Sequence, residues 1–373
     1  MRVLVAPDKF RGTLTAPQAA RAMAAGWRRA RPDDELVELP MADGGEGTLE
    51  TLIDALGGSL RTAWVEGPLG DPVEAAFGLA DGPAGPLGIV EMARASGLAL
   101  VPRREPLRAS TYGTGELIAA AVQGGARTIL VCIGGSASTD GGAGMAQALG
   151  ARLMDVRGEP IPRGGAGLLD LARVELAPME PVLRSVSLLV VSDVDNPLTG
   201  PRGAARVFGP QKGASPEDVV LLDRALGHLA AVLYRDLGVD LRELRGGGAA
   251  GGLGFGLAAF LGARIRRGVE VVMETVGFGA ELEAADLVLT GEGRVDEPSL
   301  SGKVVGGVLA AARDLRKSAV VLCGEAEARP EGVLVASLIE RFGPERAFGQ
   351  ARMGLAELAE EIAQGAETLP SRP

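Results

Sequence analysis

The sequence predicts an α/β protein with parallel sheets, on three observations. Short aliphatic and β-branched runs recur along the chain, each ends in a turn rich in Gly and Asp, and each turn opens into an Ala/Leu-rich stretch of helical period. A helix between successive strands supplies the crossover that parallel pairing requires, so the alternation layers helices on sheets. Residues 3–6 read as the first strand and 16–31 as the helix after it. Residues 128–133 lead through a glycine loop into a helix at 144–149, and 187–191 end in an acidic turn at 192–196. Residues 287–290 lead through a second glycine loop to 304–315, and strands at 319–322 and 333–337 close the pattern. At 373 residues the chain exceeds one ordinary core, which predicts two domains.

Composition removes several classes of function. Hydrophobic residues at 46% against 23% charged residues describe a globular chain rather than a disordered one. Aromatics at 3% leave the core to Ala, Val, Leu and Ile, and offer few rings for stacking on bases. With a net charge of −10, this argues against nucleic-acid binding, so an anionic substrate must meet a locally positive pocket in an acidic protein. Cys132 and Cys323 each sit inside an apolar run and read as buried strand residues, with no disulfide framework or zinc companions. His228, the single histidine, falls in a helical pattern around 221–233 and reads as packed or surface-exposed. No nucleophile motif points to it, which leaves Ser-His-Asp and Cys-His chemistry without a candidate. The apolar stretches are interrupted well before ~20 residues and the start shows no cleavable signal, so the expectation is a cytoplasmic protein without a membrane span.

The 56 glycines gather at strand-to-helix turns rather than in repeats. The densest tract, 246–256, reads either as a flexible linker or as the tight start of a helix that approaches a ligand. Beyond Glu367 the chain ends in Pro and Ser, which predicts a frayed terminus.

Four loops put carboxylates among glycines at the ends of predicted strands, the edge where open α/β sheets bind ligands. The first combines Asp8, Lys9 and Arg11 after the opening strand with Asp43-Gly44-Gly45-Glu46-Gly47-Thr48 before a helix. Asp43 and Glu46 there can hold Mg²⁺, accept substrate hydroxyls or cap the helix. The second, Gly134-Gly135-Ser136-Ala137-Ser138-Thr139-Asp140-Gly141-Gly142, offers hydroxyls and amides as a phosphate or carboxylate cradle, or forms a structural turn. In the third, Asp193 and Asp195 share a face of an extended segment beside Asn196. Two carboxylates and an amide suit a hard cation that also carries phosphates, or an Asn-Pro turn with solvated acids. Lys212 follows on a turn, a fitting point charge for phosphate. The fourth runs Thr290-Gly291-Glu292-Gly293-Arg294-Val295-Asp296 and reaches Ser301-Gly302-Lys303. It holds half of a dinucleotide fingerprint, with Asp296 at the third glycine, and it is not a Walker A sequence because Val304 stands at the hydroxyl position. Several carboxylates, glycine-rich backbone and sparse lysines together match phosphoryl transfer, which needs positioned metal, charge neutralisation and a base.

The same residues carry a family resemblance over nearly the whole chain. Ala6-Pro7-Asp8-Lys9-Phe10-Arg11-Gly12-Thr13-Leu14 resembles the opening signature of bacterial glycerate kinases of the first type, which reads roughly A-P-D-S-F-K-G-S-L. The Asp43–Thr48 loop, Thr111-Tyr112-Gly113-Thr114-Gly115-Glu116, residues 134–142, Asp193-Val194-Asp195-Asn196-Pro197-Leu198, residues 208–213, 248–254 and 290–296, and Gly302-Lys303 follow in the family's order. Lys9 stands where the family has Ser, Arg11 where it has Lys, Thr139 where it has Asn, and Glu297-Pro298-Ser299 departs from its Gln/Thr-bearing stretch.

The resemblance implies ATP-dependent phosphorylation of D-glycerate to 2-phosphoglycerate with Mg²⁺. It also implies a discontinuous Rossmann- or flavodoxin-like domain (1–62 and 284–373), an inserted α/β domain (63–283), and an active site in the cleft between them. On that reading Asp193, Asp195 and Asn196 hold Mg²⁺, and Lys212 and Lys303 neutralise phosphate. The Gly291-Glu292-Gly293 turn lines the nucleotide or transferred group, and Gly134, Gly135 and Ser136 belong to the same cofactor cradle. Asp296 or Asp193 takes the hydroxyl proton. Lys9, Arg11 or Arg294 pairs with the substrate carboxylate, and Asp8, Asp43 and Glu46 complete the substrate contacts. The alternatives are a kinase of another small hydroxy acid and an NAD-dependent dehydrogenase.

Overall fold

In the computed structural model, which describes residues 1–177, 179, 183 and 185–366, the chain divides into two compact units. The expected frayed terminus beyond Glu367 lies outside the described residues. One unit comprises Met1–Asp43, Glu50–Leu56 and the chain from Gly268 onward; the other comprises Gly44–Leu49 and Gly57–Arg267.

The first unit is built on a five-stranded parallel sheet. From one edge to the other it runs Glu35–Glu38, Arg2–Val5, Leu287–Thr290, Ser318–Cys323 and Leu334–Ser337. Numbered along the unit, that is the 2-1-3-4-5 order of doubly wound folds, with the topological switch between Arg2–Val5 and Leu287–Thr290. Val3, Val5, Leu289 and Leu322 are fully or almost fully buried, as strands covered on both faces require. Helix Ala16–Ala30 starts on a capping box in which Thr15 and Gln18 exchange side-chain and backbone hydrogen bonds. It packs against helix Ala351–Gln364 so closely that a Cβ on Gly26 would meet the Ala356 carbonyl oxygen at 1.8 Å.

The second unit carries a six-stranded mixed sheet in the order Arg264–Arg266, Ser187–Val191, Thr128–Cys132, Gly85–Glu91, Pro72–Gly82, Ser59–Glu66. The first four are parallel, and the last two extend the sheet as an antiparallel meander. Strands Thr128–Cys132 and Ser187–Val191 follow the sequence pattern, whereas Arg264–Arg266 and the three strands between 59 and 91 are ones it does not announce. Cys132 and Cys323 are buried free thiols on strands, and His228 packs through a 2.7 Å hydrogen bond between its Nε2 and the Leu171 carbonyl. Both placements follow the sequence reading.

The tract at 246–256 is the start of a helix rather than a linker. Helix Ala249–Leu261 is interrupted at its beginning by Ala250, Gly251 and Gly252, with φ of 52°, 69° and 90°. There the backbone lies on the 134–142 loop: Gly141 donates to the Gly251 carbonyl at 3.1 Å, and a Cβ on Gly251 would sit 2.1 Å from the Ser138 oxygen. Glycine is required by that close approach and by the left-handed backbone.

Candidate functional site

At the switch point of the first unit, the parallel ladder continues past both strands. Ala6 donates to Leu289 at 2.7 Å and Asp8 to Gly291 at 2.8 Å, so Asp8 and Glu292 leave the sheet side by side. Gly291 is dictated by packing, because a Cβ there would lie 1.7 Å from the Leu322 oxygen. The Gly293 amide is directed to the Lys9 carbonyl at 3.4 Å, so this glycine pair serves the backbone first.

Six of the expected site residues gather at this edge. Asp8 is 5% exposed and accepts a 2.7 Å hydrogen bond from the Lys9 amide. Burial, reinforced by the neighbouring Asp43, raises its carboxyl to about 6 against the opposing pull of Lys9 and Lys303. Lys9 Nζ stands 3.8 Å from Asp43. Glu292 is pushed up to about 7 by burial, with Asp8 and Asp296 adding to the rise and Ser299 and Lys303 opposing it. Its Oε1 is out of reach of water and has no hydrogen-bond partner among the described residues. Such an atom is costly in a structure that has no use for it.

Asp296 differs. It caps the short helix Glu297–Leu300, accepting from the Ser299 amide at 2.9 Å and the Ser299 hydroxyl at 2.8 Å. Those hydrogen bonds hold its carboxyl below the usual range. Lys303 occupies the N-cap of helix Val304–Asp314 and is electrostatically coupled to Asp8, Glu292 and Asp296. Arg294 is ion-paired with Glu327 and Arg11 is exposed, so neither is drawn into the buried part of the cluster.

In the second unit the carboxyl ends of the parallel strands also share one edge. Glu91, the 134–142 loop and the Ser192–Asn196 turn emerge there, as the register Glu91↔Cys132 and Cys132↔Val191 requires. Asp193 and Asp195 are exposed; Asp195 pairs with Arg245 at 2.5 Å, and Asn196 donates to the Arg202 carbonyl at 2.7 Å. No group of three His, Cys, Asp or Glu is gathered as a metal site among the described residues. Glu46 lies exposed before helix Thr48–Leu56, and Gly134 and Gly135 form the turn after Thr128–Cys132.

Lys212 lies in the interior, 2% exposed. Its Nζ donates to Ser136 Oγ at 2.7 Å and to the Ser138 carbonyl, and burial lowers the ammonium to about 7. Nearby Asp140 is fully buried and accepts five hydrogen bonds: from the Ser110 and Thr111 hydroxyls and the Thr111, Gly142 and Gly144 amides. Burial raises its carboxyl, and the Thr111, Gly142 and Gly144 donors oppose the rise. This anchor was missed as a site residue at the level of sequence, as was Glu91, 3% exposed, which accepts from the Leu49 amide at 2.9 Å and pairs with Arg94. The available signal for Glu91 was its position at the carboxyl end of a parallel-paired strand.

The family model described as the glycerate kinase family matches residues 3–369. The chain belongs to the glycerate kinase family. Similar relatives include a glycerate kinase of Halalkalibacterium halodurans, 47% identical over 86% of this chain and 85% of that one. A glycerate 2-kinase of Escherichia coli is 45% identical over 87% of this chain and 85% of its own length. A solved structure from Salmonella typhimurium carrying the name glycerate kinase 2 superposes with a TM-score of 0.91 at 42% identity, covering 99% of this chain and 98% of that one. Membership in this family of kinases makes the chain an enzyme. Among the described residues of this glycerate kinase family member, no helix is long and apolar enough to cross a membrane.

Proposed function

We propose that the enzyme transfers the γ-phosphoryl group of ATP to the 2-hydroxyl of D-glycerate, with Mg²⁺, giving 2-phosphoglycerate. The observation that carries this reading is the family match across residues 3–369, joined by relatives named glycerate kinase and glycerate 2-kinase. The chemistry of the two strand edges supports it. Phosphoryl transfer asks the protein for positioning and charge neutralisation and needs no covalent intermediate. No histidine nucleophile chemistry competes, since His228 is held by a backbone carbonyl.

Lys303, at a helix N-terminus beside buried carboxylates, is suited to neutralise phosphate oxygens. Lys9 and the exposed Arg11 are suited to the substrate carboxylate, with Asp43 orienting Lys9. Lys212, spent on Ser136 and Ser138, acts by holding the 134–142 cradle in shape. Asp193, Asp195 and Asn196 are oxygen donors at a strand edge, and Mg²⁺ needs only one or two carboxylates because it keeps several waters, so the residues fit the ion. When bound, Mg²⁺ would neutralise phosphate charge there.

The test measures ADP release with D-glycerate, with and without Mg²⁺, and identifies the product by phosphorus NMR. Metal-dependent turnover to 2-phosphoglycerate is expected. A 3-phospho product would overturn the regiochemistry, and the absence of turnover on glycerate would overturn the substrate.

A further inference from the structure

Glycerate carries two hydroxyls, and neither becomes a good nucleophile without losing its proton as the bond to phosphorus forms. The base must be a group that is held at the ligand edge of the sheet, that has an acceptor atom not already engaged, and that ionises near the working pH. Asp296, expected from the sequence, fails the last condition: both Ser299 contacts fall on its Oδ1 and stabilise its ionised form, holding the carboxyl below the usual range. Glu292 stands at the carboxyl end of Leu287–Thr290, directly at the switch between the first and third strands. The ladder that joins Asp8 to Gly291 and Gly293 to Lys9 fixes its backbone from both sides, and its Oε1 is buried without a partner.

We infer that Glu292 is the general base of the transfer, with Asp8 beside it as the positioning residue that tunes its protonation; the inference rests on the kinase reading above. In the step, the acceptor hydroxyl oxygen bonds to the γ-phosphorus of the nucleoside triphosphate. The bond from that phosphorus to the β,γ-bridging oxygen breaks, and its electron pair leaves with the diphosphate. The hydroxyl proton passes to the Glu292 carboxylate, which returns it to water after product release. The groups facing Glu292 are Asp8, Asp296, Ser299 and Lys303, and Cys323 is electrostatically coupled to it from the neighbouring strand. Those facing Asp8 are Lys9, Asp43 and Lys303. Because burial and the Asp8 charge both favour the protonated carboxyl, the active, ionised form of Glu292 accumulates as pH rises through about 7.

The experiment compares the pH dependence of kcat for the full-length enzyme and three variants, with thermal melts to confirm folding. The native enzyme is expected to gain activity up to a plateau as pH rises through neutrality. Glu292→Gln should lower kcat about 100- to 1,000-fold and flatten that limb, the usual range for losing a general base. Glu292→Asp, one methylene shorter, should keep the limb at a reduced rate, which separates lost chemistry from lost structure. Asp8→Asn removes a like charge and should move the limb to lower pH. A folded Glu292→Gln variant within a few-fold of native kcat, or a limb abolished by Asp296→Asn instead, would overturn the assignment while leaving the kinase intact. A native enzyme that turns over no glycerate would overturn the kinase reading, and this inference with it.

Discussion

Asp140 and Glu292 are both carboxylates drawn from water just beyond a parallel strand, one in each unit, yet their surroundings differ in kind. Asp140 receives five hydrogen bonds, three from backbone amides, and the Lys212 ammonium lies near enough to act on it electrostatically. Glu292 has an Oε1 that receives none and like charges at Asp8 and Asp296. A buried carboxylate whose acceptor sites are filled stabilises the loop that fills them; one left unfilled is a cost that folding alone does not recover. The difference teaches which of the two is available for chemistry. The saturated acid holds the 134–142 loop in shape, and the unsaturated acid keeps an acceptor atom open.

The comparison breaks most decisively at Asp140. Asp140→Ala would strand the Thr111, Gly142 and Gly144 amides in the interior, and should cost roughly 3–5 kcal/mol in urea unfolding. A loss below about 1 kcal/mol would mean that those donors find other partners and that the loop does not depend on the acid. Lys212 sharpens the contrast next. Its ammonium is lowered to about 7 in the fold and titrates near 10.4 when unfolded. The unfolded chain therefore holds the extra proton between those values, and stability should rise with pH across that window. Lys212→Met should remove this rise. A melting profile in which the variant and the native protein keep the same slope above pH 7 would show Lys212 charged and solvated after all.

The parallel strands at 2–5, 128–132, 187–191, 287–290, 318–323 and 334–337 were legible as apolar runs ending in turns, whereas Glu35–Glu38, Gly85–Glu91 and Arg264–Arg266 were not. The meander at 59–91 was not, because Ser59–Glu66 is an edge strand whose residues are mostly exposed, with Leu60 and Trp64 in water. Without a buried face there is no alternation to read. At the site, the loops were visible as carboxylates among glycines, and the structure gathers Asp8, Lys9, Asp43, Glu292, Asp296 and Lys303 at one edge. What the chain could not disclose was saturation. Asp140 depends on donors 29 and 30 positions upstream, and Lys212 reaches back 74 and 76 positions to the loop it supports. Spacing in sequence carries no sign of such pairings, nor that the lysine read as a point charge for phosphate is buried against Ser136. The same blindness hid what separates Asp296 from Glu292, four residues before it: one caps a helix and the other does not.

The smallest expected effect is the most discriminating, because its pH dependence runs opposite in sign to that of Lys212. Glu292 is raised to about 7 in the fold against an unfolded value near 4.3, so the native state holds the extra proton between them. Stability from this group is complete below the lower value and is lost as pH rises toward the higher one, the reverse of the Lys212 window. Its partial exposure lets water screen the charge, which limits the slope to about 1 kcal/mol. Glu292→Gln, which cannot ionise, should therefore flatten the decline between pH 4 and 7 and leave the variant as stable as the native protein or slightly more so at pH 8. Thermal unfolding at half-unit pH steps would read it. A variant markedly less stable than the native protein at pH 8 would mean that the ionised carboxylate has found donors, which would place Glu292 in the same class as Asp140.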